Sequence, residues 1–299
     1  MGLATSSPTS SPLSTSMADD RDAVIPNLMD RDRNFDDLKD LFYERIYGSI
    51  KGTYRLEMTM QDIEHHMNTS QCLDSSLSYR ALDIGGGLGQ VSLWLATHTT
   101  YDIRVCYYDI SQQMKEHVDK EIKKSLKEGH ARITTQLGGI KEAIVDGVSS
   151  AQIICLHAVL EWLTSPIEDF KDLLAQIQPN GMLSLLYYNK IENIEQQQQQ
   201  QQSQSSVAVT KKKLKSRRKN RKKHPLTPFH EFDSELIECI LTEYNFSIVG
   251  RTGLRVNKFT YDDTKEGLQL YLKEEREIAR MEPFCRQGRY NHIVAIKRE

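Results

Sequence analysis

The sequence predicts an α/β fold, a seven-stranded and mostly parallel sheet flanked by helices, and three stretches carry that prediction. Tyr79–Gln90 reads Y-R-A-L-D-I-G-G-G-L-G-Q. Its apolar Ala81 and Leu82 lead into an acid, four glycines follow at Gly85, Gly86, Gly87 and Gly89, and Val91, Leu93, Trp94 and Leu95 resume an apolar pattern suited to a helix. That order is strand, tight turn, helix. Tyr101–Asp109 is rich in β-branched and aromatic residues and ends on an acid, as a second strand would. Ala151–His157 is a near-continuous apolar run, the mark of a central parallel strand covered on both faces.

The remaining elements follow in order. Residues 1–31 begin with a stretch of Ser, Thr and Pro that cannot bury a core, and a disordered tail is expected there. From Asp32, the residues Phe35, Leu38, Leu41, Phe42 and Ile46 recur at helical spacing. A second helix carries Arg55, Met58, Ile63 and Met67. The pair predicts lid helices over the ligand crevice. Met114, Val118 and Ile122 mark a helix after Asp109, and Arg132–Leu137 reads as a third strand followed by Gly138 and Gly139. Leu160–Gln178 reads as a helix, Pro179–Gly181 as a turn and Met182–Tyr188 as a fifth strand. The alternation is then interrupted. Gln196–Gln202 is a glutamine run and Lys211–Lys223 is basic, so a disordered insertion is expected at about 195–224. Phe229–Glu243 resumes as a helix. Phe246–Val256 and Tyr290–Lys297 read as an antiparallel edge pair, separated by a charged helix from about Lys265 to Met281.

Composition bounds the function. The 299 residues suffice for one large α/β domain, taken as 32–299 with its interruption. A net charge of −2 conceals a separation: ten of the 39 Lys and Arg lie in Lys211–Lys223, which has no acids, and the other 29 face 41 acids. That pattern predicts a polyanion-binding arm on an acidic body, ahead of a nuclear-localisation signal or a merely solvated block. The five cysteines are scattered and form no C-x-x-C pair, so neither a metal site nor a disulfide framework is indicated. A reducing compartment is expected, the cytoplasm before an organelle or the nucleus. No apolar run approaches a membrane span, and the N-terminus lacks the apolar core of a secretory signal.

The glycine spacing separates cofactor classes. A dinucleotide fingerprint counted from Gly85 needs glycine at position 90, which is Gln90. The pattern present is D-x-G-x-G-x-G from Asp83 to Gly89, which resembles the first motif of class I methyltransferases, Rossmann-like enzymes that use S-adenosylmethionine. Asp109 lies twenty residues after Gly89, about where a βαβ unit returns an acid to the ligand crevice, and a carboxylate there can accept both ribose hydroxyls. Asp109 also reads as the cap of a helix beginning near Ser111; the two roles are compatible. His157 ends its strand at the ligand edge, with a structural and a binding role equally open.

Further stretches resemble a narrower family, the bacterial tRNA 5-carboxymethoxyuridine methyltransferases. They are D-R-N-F-D-D from Asp32, I-Y-G-S-I-K-G-T-Y-R from Ile46, L-D-I-G-G-G-L-G-Q from Leu82, H-A-V-L-E-W from His157, P-N-G-M-L-S-L-L-Y-Y-N from Pro179, T-G-L-R-V from Thr252 and E-P-F-C-R-Q-G-R-Y-N-H from Glu282. The resemblance implies methylation of the carboxylate of a modified wobble uridine in tRNA. It implies S-adenosylmethionine bound by Arg55, Gly85, Gly86, Asp109, Gly138, Gly139 and His157, to which Asp83 and Gly87 of the glycine motif are added as expected cofactor-binding positions. A carboxylate titrates near pH ~4 and needs no general base. Tyr188, Asn189, Arg255 and Arg289 are candidates to hold it, each arginine being equally readable as a surface or phosphate contact, and Glu161 reads as structural. No metal is called for. The alternatives are a small-molecule carboxylate O-methyltransferase and a non-catalytic RNA-binding module.

Overall fold

The computed structural model describes residues 31–69, 74, 76–125, 132–190, 226–256 and 264–299. The tail expected at 1–31, apart from its last residue, and the basic run Lys211–Lys223 lie outside the described residues, as does the insertion expected at 195–224.

Seven strands form one sheet in the order β3-β2-β1-β4-β5-β7-β6. They are β1 Ser78–Ile84, β2 Asp102–Asp109, β3 Ile133–Leu137, β4 Ile153–His157, β5 Met182–Tyr188, β6 Phe246–Leu254 and β7 Tyr290–Lys297. Pairing is parallel from β3 to β5, and β7 runs antiparallel to both β5 and β6. The helices are α1 Lys39–Phe42, α2 Ile50–Thr69, α3 Gln90–Ala96, α4 Gln112–Ser125, α5 Ile140–Gly147, α6 Pro166–Gln176, α7 Ser234–Glu243 and α8 Lys265–Ile278.

Strand alternation sorts the core onto two faces. Leu82, Ile84, Leu156, Leu183, Leu185 and Tyr187 pack with Phe170 and Leu174 of α6 and Ile237 and Leu241 of α7. Ala81, Val105, Ile153, Cys155, Met182 and Val294 meet Ile63 and Met67 of α2, Leu95 of α3 and Val118 of α4. Each fully buried Leu, Ile or Phe contributes roughly 1.5–3 kcal/mol, so the covered faces, more than helix propensity, hold α2 and α6 in place. Because β2 and β4 lie on opposite sides of β1, the strand order reverses beside β1, and the crevice opens outside the carboxyl ends of these three strands.

Four elements differ from the sequence expectation. The helix expected at Leu160–Gln178 is a 3-10 turn, Leu160–Trp162, followed by α6 from Pro166. The proline ring disfavours helical backbone at Ser165, which stands at φ −124° and ψ 63°, and Pro166 itself suits a first helical position. Residues 229–232 are not helical: Phe232 forms a parallel bridge with Asn189, and α7 begins after Asp233, whose side chain accepts from the Glu235 amide at 2.9 Å. The first lid helix is three pieces, a 3-10 turn Asp36–Leu38, α1 and a π turn Tyr43–Tyr47. Helix α5 was not anticipated; the Glu142 carboxylate closes its first turn by accepting the Gly139 amide at 2.7 Å.

Candidate active site

The turn after β1 is sewn to the end of β2. Gly85 and Gly86 donate their amides to the Tyr108 carbonyl at 2.8 and 3.1 Å, and Tyr107 Oη donates to the Gly87 carbonyl at 2.6 Å. Gly85 stands at φ 68°, which side-chain-bearing residues avoid, and a Cβ there would overlap Val159. A Cβ on Gly86 would come within 2.6 Å of the Tyr107 ring and 2.8 Å of Asp83 Oδ2. The bare backbone therefore keeps the turn low against the sheet and leaves room above it.

Asp83 supports this turn from below. It is buried, accepts from Ser92 Oγ at 2.6 Å and does not line the cavity, so its position corrects the expectation that it touches a ligand. Burial pushes its carboxyl up to about 6 against the Ser92 hydrogen bond, with the nearby Asp109 adding to the rise. Asp109 closes β2 and does face the cavity. Its two oxygens accept from the Gly87 amide at 2.9 Å and the Ser111 amide at 2.8 Å, so it braces both the glycine turn and the start of α4. Each carboxylate oxygen keeps a further lone pair for a ligand hydroxyl. Burial raises the Asp109 carboxyl to about 6, the two amides oppose that rise and the Asp36 charge adds to it.

A cavity of about 340 Å³ lies over these residues, within the roughly 300–1,000 Å³ typical of small-molecule and cofactor sites. Gly85, Gly87, Asp109, Gly138, Gly139, His157, Arg55 and Tyr188 line it together. Arg55 reaches it from α2, its guanidinium stacked over the Tyr290 ring at 4.9 Å. His157, half-buried at the end of β4, points Nε2 at Ser184 Oγ, 2.8 Å away. Burial drives its pKa well down, with the neighbouring Arg55 charge adding to the fall, so the ring is neutral.

The other predicted positions lie outside the lining. Gly86 sits behind the turn, its role the close approach to Tyr107. Asn189 is buried and spends its amide on the Arg286 and Gly288 carbonyls, both at 2.9 Å, which removes it as a substrate donor. Arg255 stands at φ 61° in the turn after β6, its amide held by Glu275 and its carbonyl by the Arg289 amide at 3.1 Å. Arg289 reaches the cavity wall only through Tyr188, donating Nε to its hydroxyl at 2.8 Å.

Sequence reasoning placed Phe35 in a lid but gave no role to Asp32, Asn34 and Asp36, which with it form a strap, Asp32–Asp36. Asp32 accepts the Thr164 amide and hydroxyl, both at 2.7 Å, Asn34 donates to the Ile110 carbonyl at 2.9 Å, and Asp36 accepts from Ser111 Oγ at 2.6 Å. Phe35 stacks edge-on against Trp162 at 4.9 Å, and both line the cavity. The strap thus bridges the glycine-loop side to the segment after β4. Its motif was visible, but its partners are 75 to 132 residues away. Glu161 also lines the cavity, buried, with Oε2 lacking a hydrogen-bond partner. Burial pushes its carboxyl up to about 7.

Residues 53–250 match the family model described as methyltransferase domain. The chain belongs to that methyltransferase family. A relative, the tRNA 5-carboxymethoxyuridine methyltransferase of Escherichia coli strain K12, is 29% identical over 277 residues, covering 89% of this chain and 97% of the relative. Two solved structures share the fold of this methyltransferase domain. The cyclopropane synthase MmaA2 of Mycobacterium tuberculosis has 16% identity and a TM-score of 0.53 over 92% of this chain and 100% of its own. The magnesium protoporphyrin IX methyltransferase of Synechocystis, solved with S-adenosylhomocysteine, has 15% identity and a TM-score of 0.52 over 88% of this chain and 95% of its own. Among the described residues, no group of three or more His, Cys, Asp or Glu is placed to hold a metal, and no helix is long and apolar enough to cross a membrane.

Proposed function

We propose that this methyltransferase esterifies the carboxylate of 5-carboxymethoxyuridine at the wobble position of tRNA, with S-adenosylmethionine as methyl donor. The observation that carries the reading is the junction of the glycine turn with Asp109 on one cavity, in a chain aligned along nearly its whole length with a relative bearing that name. The residues fit the cofactor. A Cβ at Gly85 would fill the cradle, and Asp109 keeps acceptor capacity for two ribose hydroxyls. Arg55 suits the methionine carboxylate through its planar fork, and the Gly138–Gly139 backbone suits the adenine edge.

S-adenosylmethionine, when bound, would supply a sulfonium methyl for transfer to a carboxylate oxygen, with the neutral thioether of S-adenosylhomocysteine as the leaving group. The chain's work is alignment and exclusion of water. The strap and Trp162 roof the site, while Tyr188, its hydroxyl held by Arg289, is placed to orient the substrate carboxylate without a cation directly on the attacking oxygen. No proton has to be removed, which suits a neutral His157. Lys211–Lys223 suits a phosphate-binding arm, residues 32–299 suit one catalytic domain interrupted at about 195–224, and a tRNA substrate suits the cytoplasm.

The test is incubation of the full chain with labelled S-adenosylmethionine and tRNA carrying the oxyacetate group, followed by nucleoside mass spectrometry. The expected product is the methyl ester of that nucleoside. Label in a free carboxylate metabolite and never in tRNA would instead establish the small-molecule reading.

A further inference from the structure

Behind the cavity, five polar side chains form one continuous line through the sheet. Ser184 Oγ lies 2.8 Å from His157 Nε2 and 2.8 Å from His292 Nε2. His292 Nδ1 lies 2.8 Å from Asp62 Oδ2, and Arg280 meets Asp62 Oδ1 at 2.7 Å. Strand register explains the meeting. His157 pairs with Leu186 across β4 and β5, and Leu186 pairs with His292 across β5 and β7, so His157, Ser184 and His292 share the face that α2 covers with Asp62. Ser184, His292 and Asp62 are 0%, 1% and 6% exposed, so their hydrogen bonds have no water to fall back on.

The directions of these bonds are set from the two ends of the line. Burial acts to raise the Asp62 carboxyl, but the hydrogen bond from His292, with Arg280 behind it, outweighs burial and holds the carboxyl at about 2. An ionised carboxylate only accepts, so His292 Nδ1 carries a proton. An ammonium in the cavity can only donate, so a His157 that meets one keeps its lone pair on Nδ1 and its proton on Nε2, and the Ser184 hydroxyl proton turns to His292 Nε2. Ser184 Oγ then accepts from His157 Nε2–H. The neutral His157 is left with a lone pair on Nδ1, the one ring nitrogen available to a cavity occupant.

We propose that Ser184, His292 and Asp62 are positioning residues that lock His157 in its Nε2–H tautomer, so that Nδ1 accepts a hydrogen bond from the α-ammonium of the cofactor's methionine arm. This rests on the reading that the cavity takes S-adenosylmethionine. The ammonium is one carbon from the carboxylate assigned to Arg55, which lines the same cavity. One helix then serves both ends of that amino acid: α2 carries Arg55 to the cavity and Asp62 to the far end of the line.

Two measurements test the lock. In the full chain with ¹⁵N-labelled histidine, His157 is expected to show the Nε2–H tautomer, and Ser184→Ala to show a mixture. By calorimetry, the wild type is expected to prefer S-adenosylhomocysteine over its desamino analogue, and Ser184→Ala to erode that preference about tenfold or more, the scale of one hydrogen bond to a charged group. Affinity for the desamino analogue should hardly move. If Ser184→Ala does not fold, Asp62→Asn tests the same chain from its other end. An Nδ1–H tautomer in the wild type, or an unchanged preference in a folded variant, overturns the proposal. If neither nucleoside binds the wild type, the cofactor reading fails by itself, and the tautomer still decides whether the lock exists.

Discussion

The two sides of the cavity are built by different means. On the glycine-turn side, β1, the turn and β2 lie within 32 residues, and the contacts that matter run between neighbours in one βαβ unit. On the lid side, the strap, the segment after β4 and the edge of β5 and β7 converge from positions more than 100 residues apart. The first side is rigid by backbone geometry, since bare glycine carbons let the chain pack against Tyr107 and Tyr108. The second is held by side-chain hydrogen bonds that each contribute little, about 0.5–1.5 kcal/mol. Damage to the first side should therefore be all-or-none, and damage to the second graded.

The largest effect should come from Gly85→Ala. Left-handed backbone costs an alanine about 1–2 kcal/mol, and overlap with Val159 adds roughly 1–3 kcal/mol more. Cofactor affinity should fall well over tenfold, with a lower Tm, as calorimetry and thermal melts would read. Wild-type affinity in this variant would mean that the turn is as forgiving as the lid, and the contrast would be lost.

Asp109 sharpens the comparison through pH. Its carboxyl, raised to about 6 chiefly by burial, must be ionised to accept two hydroxyls. Affinity should hold above that value and weaken as pH falls through it. Asp109→Asn should cost about 1.5–3 kcal/mol at pH 7.5 and flatten the profile, since a charge-assisted acceptor is lost. A profile flat to pH 5 in the wild type would remove Asp109 from the ribose.

The same contrast decides what could be read from sequence. The parallel sheet, the turn and Asp109 were legible because their information is local: glycine spacing, an apolar run, an acid at the right distance. Phe232 shows the opposite case. It sits in an apolar stripe that reads as helix, but a bridge to Asn189, just after β5, holds it outside the helix. Asn189 looked like a substrate ligand by residue type alone, and only the packed structure shows its side-chain amide already engaged. Asp36 carried no reading of its own from the sequence, although it caps α4 from 77 residues away, accepting the Gln113 amide at 3.0 Å.

A smaller effect should follow from breaking that cap. Asp36→Ala should cost about 1 kcal/mol, as lost caps do. Because the Asp36 charge helps to raise Asp109, the variant should also shift the acid fall-off of cofactor binding to lower pH. A shift to higher pH would show that the strap touches the ligand instead of tuning Asp109.

The smallest effect belongs to Glu161, and it separates stability from binding on the lid side. Burial raises its carboxyl from an ordinary 4.5 to about 7. Between those values the unfolded chain has released the proton and the folded chain retains it, so stability falls as pH rises through this window and stays lowered above it. Glu161→Gln removes the titration. At pH 8 it should stabilise the protein by about 1 kcal/mol, a Tm rise of roughly 2–4 °C, and near pH 4 it should change little. The orphaned Oε2 makes the gain plausible, since the charged form has no partner there to compensate its burial. Equal destabilisation at both pH values would mean that the carboxylate is held by a bond worth more than its desolvation, and the lid side would then contain a fixed point as firm as the glycine turn.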